Sequence, residues 1–115
     1  MEWRLKAEIY VQALLHRVHD AGATAVIARR GNADAGGIFV RVNRLDGTSG
    51  VLTQASDADN VRYWRVVAEP ATADADIEAR LAREMERDPD IWIVEIEDRA
   101  SRHFLEERIA GEWAV

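Results

Sequence analysis

Apolar residues near the start of the chain recur with helical spacing. One stripe has residues at positions i, i+3, i+4 and i+7, namely Val11, Leu14, Leu15 and Val18. This spacing predicts an amphipathic helix over residues 5–19. Leu5, Ile9 and Ala13 lie on the opposite side of that helix, with His16 next to them. A helix that is apolar on two sides is either enclosed within its own domain or shared with a partner.

Four short runs with strand-like alternation follow this helix. They cover residues 23–30, 37–44, 51–54 and 61–68, and turn residues such as Asp46-Gly47 separate them. Short strands joined by turns are typical of an antiparallel meander with one buried face. We therefore expect these four runs to form such a meander.

The second half of the chain predicts two more helices and one more strand. A surface helix is expected over residues 73–87, and Pro89 ends it. Residues 91–96 are continuously apolar up to Glu95 and predict a central strand. A last helix is expected over residues 102–110, with three apolar residues inward: Phe104, Leu105 and Ile109.

Together these elements predict an α+β fold in the order α-β-β-β-β-α-β-α. We expect a mostly antiparallel sheet, made of the four-strand meander plus one central strand, with the helices packed on it. No repeat or long linker divides the sequence, so residues 1–115 are expected to form a single domain.

Composition narrows the class of protein. The chain has 115 residues, of which 48% are hydrophobic and none is cysteine. The lack of cysteine excludes disulfide scaffolds, thiolate metal sites and cysteine nucleophiles. No apolar run reaches the ~18 residues that a transmembrane helix needs, and the charged N-terminus has no signal-peptide core. We expect a cytoplasmic protein without a membrane partner.

Charge is distributed unevenly along the chain. Residues 1–67 carry nine basic and seven acidic side chains, whereas residues 68–115 carry six basic and fourteen acidic ones. The net charge of −6 does not favour a nucleic-acid partner, because such proteins usually present a clear basic excess. The oppositely charged halves could meet within one chain or between two copies.

The densest group of carboxylates surrounds the predicted central strand. Asp90 precedes this strand, Glu95 and Glu97 share one face of it, and Asp98 follows it. Hard cations prefer grouped oxygen ligands, and the order resembles a metal-dependent nuclease pattern that ends in Glu-x-Lys, with Glu97 at the lysine position. One hypothesis is therefore a metal-dependent hydrolase on these four residues. Ordinary pairing with arginines is the simpler interpretation.

The other reactive side chains give no catalytic set. His16 and His19 lie one helical turn apart, but no third strong metal ligand accompanies them. The serines stand outside any Gly-x-Ser-x-Gly context. The glycine-rich loop over residues 31–37 lacks the lysine and the following helix of a phosphate-binding loop. We predict no catalytic residue and no cofactor.

The outward face of the meander leads to a third hypothesis. Phe39, Arg41, Tyr63 and Arg65 could share this face. Aromatic and arginine side chains on an open sheet stack on RNA bases and pair with phosphates. A covering helix, or pairing between the strands themselves, would remove this surface. RNA binding on the sheet face is thus an alternative to the metal site.

Two segments carry a family resemblance. One covers residues 29–36, Arg-Arg-Gly-Asn-Ala-Asp-Ala-Gly, and the other covers residues 88–98, Asp-Pro-Asp-Ile-Trp-Ile-Val-Glu-Ile-Glu-Asp, with residues 102–105 after it. With the chain length and the opening residues 4–9, they resemble domain of unknown function family 1491, a small family of alphaproteobacterial proteins. Members of that family tend to have aspartate where this chain has Asn32. The resemblance implies a compact cytoplasmic α/β domain and brings no activity, cofactor or catalytic residue.

The leading hypothesis is a non-enzymatic interaction module that binds a protein partner or forms a homodimer. It rests on the two apolar sides of the first helix and on the opposite charge of the two halves. The expected surface combines residues of that helix and of the sheet face: Leu5, Ile9, Ala13, His16, Phe39, Arg41, Tyr63 and Arg65.

Overall fold

The structure, a computed structural model, describes residues 6–114. Two helices and six strands follow one another in this order: α1 (Ala7–Asp20), β1 (Thr24–Arg29), β2 (Ile38–Asn43), β3 (Thr48–Ser56), β4 (Arg62–Ala73), α2 (Asp74–Arg87), β5 (Trp92–Glu97) and β6 (Ile109–Ala110). The first seven elements occur in the predicted order. The predicted last helix is wrong, because a loop and the two-residue β6 take its place.

All six strands form one mixed sheet in the order β1-β5-β2-β3-β4-β6. β5 pairs with β1 in antiparallel and with β2 in parallel orientation, and β6 pairs with β4 in parallel. The prediction of a mostly antiparallel sheet built on a four-strand meander is therefore wrong. β5 separates β1 from β2, and the meander is limited to β2, β3 and β4.

The strand–helix–strand succession of β4, α2 and β5 explains the parallel pairing. A helix between two strands carries the chain across one face of a sheet and returns it in the original direction. α2 makes this crossover and brings β5 beside β2, which runs in the same direction as β4. β5 is buried on both faces, since Trp92 and Val94 belong to one apolar core and Ile93 to another.

α1 and α2 pack on opposite faces of the sheet. The core on the α1 side includes Leu14, Trp64 and Trp92, and none of these side chains is exposed. A smaller core on the α2 side surrounds Phe39 and Leu81. Neither helix is long and apolar enough to cross a membrane.

The segment between β5 and β6 follows an irregular path. Ser101 and Phe104 have φ angles of 59° and 62°, which a right-handed helix does not permit. The backbone N–H of Leu105 donates to Nδ1 of His103 at 2.9 Å, so a local side-chain bond replaces a helical one. The apolar residues of this segment nevertheless pack against the α1-side core, as the sequence predicts: Phe104, Leu105 and Ile109.

Candidate functional site

The four carboxylates considered as metal ligands do not converge. Asp90 is exposed before β5, and five residues of extended chain, ~17 Å, separate it from Glu95. Glu95 and Glu97 lie on the α2 side of β5, whereas Asp98 is buried just after the strand. Among residues 6–114, no three His, Asp or Glu side chains lie close enough together to hold a metal ion.

Asp98 instead anchors the turn that follows β5. Its carboxylate accepts hydrogen bonds from Nη2 and Nε of Arg102 at 2.7 and 3.0 Å, and from the backbone N–H of Arg102 at 2.7 Å. These bonds from Arg102 hold the pKa of Asp98 below its usual range. The carboxylate therefore stays ionised and is committed to the turn.

A polar network lies on the α2 side, where β2, β3, β5 and the start of α2 meet. We call it the Arg41 cluster, and it comprises Arg41, Asn43, Ser49, Asp74 and Glu95. Nη2 of Arg41 donates to Asp74 at 2.9 Å, and Nε of Arg41 donates to Ser49 at 3.2 Å. Nη1 of Arg41 lies 3.9 Å from Glu95, and Asn43 donates to Glu95 at 3.4 Å. Ser49 also donates to Asp74 at 2.7 Å.

Strand register and the first turn of α2 bring these groups together. Arg41 stands opposite Glu95 across the parallel pair β2–β5, so both side chains point to the same face of the sheet. Asp74 is the first residue of α2, where the helix dipole favours a negative charge. Its backbone N–H donates to the carbonyl of Gly47 at 3.0 Å. The Arg41 cluster thus fixes the start of α2 to the sheet.

The chemistry of the Arg41 cluster fits a structural role. The hydrogen bond from Ser49, together with that from Arg41, holds the pKa of Asp74 below its usual range despite partial desolvation. Asp74 is therefore a poor base for the Ser49 hydroxyl, and the cluster contains no histidine. One guanidinium beside two carboxylates leaves a net charge of −1, which repels anionic ligands.

Ser49 and Asp74 are not among the site residues that the sequence predicts. Asp74 lies at the predicted start of the second helix, which was the available signal for a capping or anchoring role. Ser49 belongs to a turn region with no chemical signature. Nothing in the sequence reveals that these two side chains meet Arg41.

α2 divides the sheet face expected to carry the aromatic and arginine residues. Cross-strand register places Phe39, Arg41, Tyr63 and Arg65 on the α2 side. α2 buries Phe39 to 8% exposure, and the Arg41 cluster holds Arg41. Arg65 is exposed and Tyr63 half-buried, and Cζ of Arg108 lies 4.5 Å from the centre of the Tyr63 ring. The open part of this face is a corner, not a broad platform.

α1 leaves one side uncovered by the rest of the described chain. Its inward residues, such as Leu14, are buried against the sheet. Ile9, Ala13 and His16 point outward and are exposed, Ile9 to 52%. The structure thus places these three predicted residues on one stripe. The fourth, Leu5, lies outside the described residues.

The glycine-rich loop before β2 packs tightly against the segment that leads into β5. A Cβ atom at Gly31 or Gly36 would lie 2.2 Å from the carbonyl oxygen of Asp90. The N–H of Asn32 donates to that carbonyl at 2.9 Å, and Nε1 of Trp92 donates to the carbonyl of Asn32 at 2.8 Å. The two segments that carry the family resemblance are therefore bound to each other. The loop glycines serve this contact.

The Asn32 side chain closes the same loop from within. Its Oδ1 accepts hydrogen bonds from the backbone N–H groups of Asp34 and Ala35, both at 3.0 Å. An aspartate oxygen would accept the same two bonds, since both residue types form this kind of turn. Asparagine at this position therefore keeps the local geometry.

A half-buried carboxylate on the α1 side, that of Glu107, is likewise not predicted from the sequence. Oε1 of Glu107 accepts hydrogen bonds from the Tyr10 hydroxyl at 2.6 Å and from Nε1 of Trp64 at 2.9 Å. Burial and the bond to Glu107 raise the pKa of Tyr10 well above its ordinary value. Burial acts to raise the pKa of Glu107, but the bonds from Tyr10 and Trp64 outweigh it and leave that pKa lowered. Nothing in the sequence distinguishes Glu107 from Glu106.

The oppositely charged halves of the sequence meet within one molecule. Arg17 of α1 lies 3.5 Å from Glu106, near the end of the chain. Arg41 joins the first half to Asp74 and Glu95 of the second half. These internal pairs satisfy part of the charge complementarity that the sequence displays.

Comparison with known proteins identifies relatives of the chain in sequence and in structure. The profile of the family described as "Protein of unknown function (DUF1491)" matches residues 5–106. A crystal structure of a DUF1491 family protein from Caulobacter crescentus CB15 is 40% identical, with a TM-score of 0.84 over 93% of this chain and 100% of that chain. An NMR structure of a DUF1491 family protein from the same organism is 39% identical, with a TM-score of 0.80 over 93% and 97% of the two chains.

A third similar structure is the solution structure of a protein from A. tumefaciens. It is 31% identical, with a TM-score of 0.79 over 95% of this chain and 98% of that chain. No curated protein matches. Because the family profile covers most of the sequence and solved members share its fold, the chain belongs to the DUF1491 family.

Proposed function

We propose that this chain is a non-enzymatic interaction domain that binds a second copy of itself through the outward side of α1. The observation that carries the proposal is the exposed stripe of Ile9, Ala13 and His16, with Ile9 at 52% exposure. A single exposed aliphatic residue is ordinary on a protein surface. Here it stands beside a small residue on a helix, and a small residue lets a second helix approach closely.

The stripe is complementary to itself when two copies of α1 run antiparallel. Lys6, which also lies 3.4 Å from Asp34, is exposed at one end of the helix and Asp20 at the other, so each end can meet the opposite charge of the second copy. Ala13 then lies near the centre, and Ile9 packs against His16 of the second copy. The two helix dipoles also oppose each other in this arrangement. Two-fold pairing of one surface with itself is the commonest form of oligomer.

The size of this surface sets the expected strength of association. α1 has 14 residues and is therefore ~21 Å long. One side of such a helix is smaller than the about 800 Å² per partner of a standard stable interface. We expect a reversible dimer whose population rises with concentration. The attraction between Lys6 and Asp20 should weaken in high salt.

The non-enzymatic part of the proposal is supported by how the polar groups are used. The carboxylates around β5 lie apart, and Asp98 is committed to Arg102. The Arg41 cluster pairs its own donors with its own acceptors. These groups stabilise the fold and are not arranged around a reacting centre.

Sedimentation velocity from micromolar to millimolar protein tests the proposal. We expect the weight-average sedimentation coefficient to rise with concentration in the unmodified chain. Ile9→Lys should weaken association at least about tenfold, because it places a charge in the apolar part of the contact. Val26→Lys is the matched control, since Val26 on β1 is also 52% exposed and lies on the other face of the sheet.

Two results would contradict the proposal. One is a monomer at every concentration in both low and high salt. The other is a loss of association in Val26→Lys but not in Ile9→Lys, which would move the contact to the edge of the sheet. Thermal melting of both variants checks that the fold is retained.

A further inference from the structure

A basic and aromatic corner lies at the edge of the sheet formed by β4 and β6. We call it the Tyr63 corner, and it consists of Tyr63, Arg65 and Arg108. Cζ of Arg108 lies 4.5 Å from the centre of the Tyr63 ring, in the range of a cation–π contact. Arg65 stands opposite Ala110 in the parallel pair β4–β6. Tyr63 and Arg65 therefore point to the same face, two residues or ~7 Å apart along β4.

The two arginines of the Tyr63 corner lie outside the ion pairs of the described chain. Both are exposed, and neither takes part in the ion pairs formed among residues 6–114. The whole chain has 21 acidic side chains and a net charge of −6. Two neighbouring arginines without a carboxylate partner give such a molecule a local positive potential.

We propose that the Tyr63 corner binds single-stranded nucleic acid. Each guanidinium can donate two parallel hydrogen bonds to a phosphate. Arg108 lies beside Tyr63, and Arg65 stands two residues further along β4 on the same face, so the two guanidinium groups are placed for neighbouring phosphates of one strand. The Arg108 guanidinium, which lies over the Tyr63 ring, offers a flat surface for a base.

The corner is independent of the proposed self-association. Tyr63 and Arg65 lie on the α2 side of the sheet, whereas α1 covers the other side. Phe39 and Arg41, which the sequence assigned to the same surface, are covered by α2 or held in the Arg41 cluster and take no part. The binding surface is therefore small. Two phosphate contacts predict a slope of about −1.4 in log K against log salt concentration for a single strand.

Fluorescence anisotropy with a labelled uridine decamer at low salt tests the inference. Arg65→Gln and Arg108→Gln should each weaken binding and lower the salt slope by about 0.7. Tyr63→Leu should weaken binding about fivefold or more, because Arg108 loses the ring that positions its guanidinium for the base, with the salt slope unchanged. Arg83→Gln is the matched control, because Arg83 is exposed on α2 and forms no ion pair within residues 6–114.

Three outcomes would overturn the inference. The first is no binding of the decamer at low salt. The second is an equal loss in Arg108→Gln and Arg83→Gln, which would show only unspecific attraction to arginine. The third is equal binding of a glutamate decamer peptide, which would assign the corner to an acidic protein segment. None of these results bears on dimer formation through α1.

Discussion

The two faces of the sheet bury polar groups in different ways. On the α1 side, the carboxylate of Glu107 is bound by two neutral donors, Tyr10 and Trp64, at the border of a large apolar core. On the α2 side, the guanidinium of Arg41 is bound by carboxylates, and the apolar core beside it is smaller. The α1 side is thus held together chiefly by apolar packing, whereas the α2 side combines apolar packing with ion pairs.

The two kinds of interaction have different effects. Apolar packing mainly contributes to the free energy of unfolding, whereas ion pairs mainly fix how the elements are oriented. Apolar burial contributes free energy roughly in proportion to area and without directional preference. A partly buried ion pair contributes little net free energy, because desolvation opposes the attraction, but its geometry is specific. We therefore expect the α1 side to provide most of the free energy of unfolding. The Arg41 cluster should chiefly determine where α2 starts on the sheet.

The largest expected effect comes from matched truncations on the two faces. Leu14 of α1 is 0% exposed and Leu81 of α2 is 5% exposed. Leu14→Ala should cost about 4 kcal/mol and Leu81→Ala about 2.5 kcal/mol. The smaller cost arises because half-buried Met85, a flexible side chain, can fill part of the space left by Leu81. Urea denaturation measures both values, and an equal or reversed cost would contradict the division between the faces.

A smaller effect is expected from breaking the Arg41 cluster. Arg41→Ala leaves Asp74 and Glu95 without their shared cation and should cost about 2 kcal/mol, less than for a fully buried pair because both carboxylates retain some solvent. Arg87→Ala is the control, since Arg87 is 73% exposed beside Glu84 and should change stability by less than about 0.5 kcal/mol. Equal costs in urea denaturation would show that the Arg41 cluster does not hold α2.

Helical periodicity predicted the two helices to within two residues at each end. α1 and α2 cover Ala7–Asp20 and Asp74–Arg87, close to the expected ranges of 5–19 and 73–87. Such patterns are local, so the sequence alone displays them. The order of strands in the sheet depends on contacts between distant segments. The strand–helix–strand order around α2 indicated that β5 would be parallel to a neighbour. The prediction of a four-strand meander did not take this order into account.

The end of the chain shows a second limit of local patterns. Residues 102–110 have apolar positions that suit a helix, yet Phe104 has a positive φ angle and the backbone N–H of Leu105 donates to the His103 side chain. Its apolar residues find the α1-side core without regular structure. Glu107 reaches Tyr10 and Trp64 because the segment follows this irregular path. A pattern of apolar residues is therefore a better predictor of which side chains are buried than of the backbone conformation that carries them.

The candidate surfaces were predictable to different degrees for the same reason. Ile9, Ala13 and His16 share a side because helical spacing alone determines it. Phe39 and Arg65 share a sheet face, but α2 covers one and leaves the other exposed. Periodicity assigns residues to faces. It does not show which part of a face a later element covers.

The smallest expected effect is acid sensitivity confined to the α1 side. Nδ1 of His103 accepts the backbone N–H of Leu105 at 2.9 Å, and burial lowers the pKa of His103. Protonation of Nδ1 would place its N–H against the backbone N–H of Leu105, so that two donors would face each other. The folded-state pKa is below the unfolded value of about 6.5, so the stabilisation is complete above that pH and is lost as pH falls through the folded-state pKa. We expect a loss of less than about 1 kcal/mol between pH 7 and pH 5, because His103 keeps some solvent contact.

His103→Asn separates this titration from the general effect of acid. Asparagine retains an acceptor oxygen near the position of Nδ1 but does not titrate, so the variant should lose less stability over this range than the unmodified chain. His16→Asn is the control at protein concentrations low enough to keep the chain monomeric, because exposed His16 lies on the outward side of α1. The pKa values of Asp74, Asp98 and Glu107 are lowered, so their contributions are lost only in stronger acid, below about pH 4. Equal pH dependence of urea denaturation in His103→Asn and the unmodified chain would show that His103 does not cause the loss of stability. It would also remove the expected difference between the two faces of the sheet in mild acid.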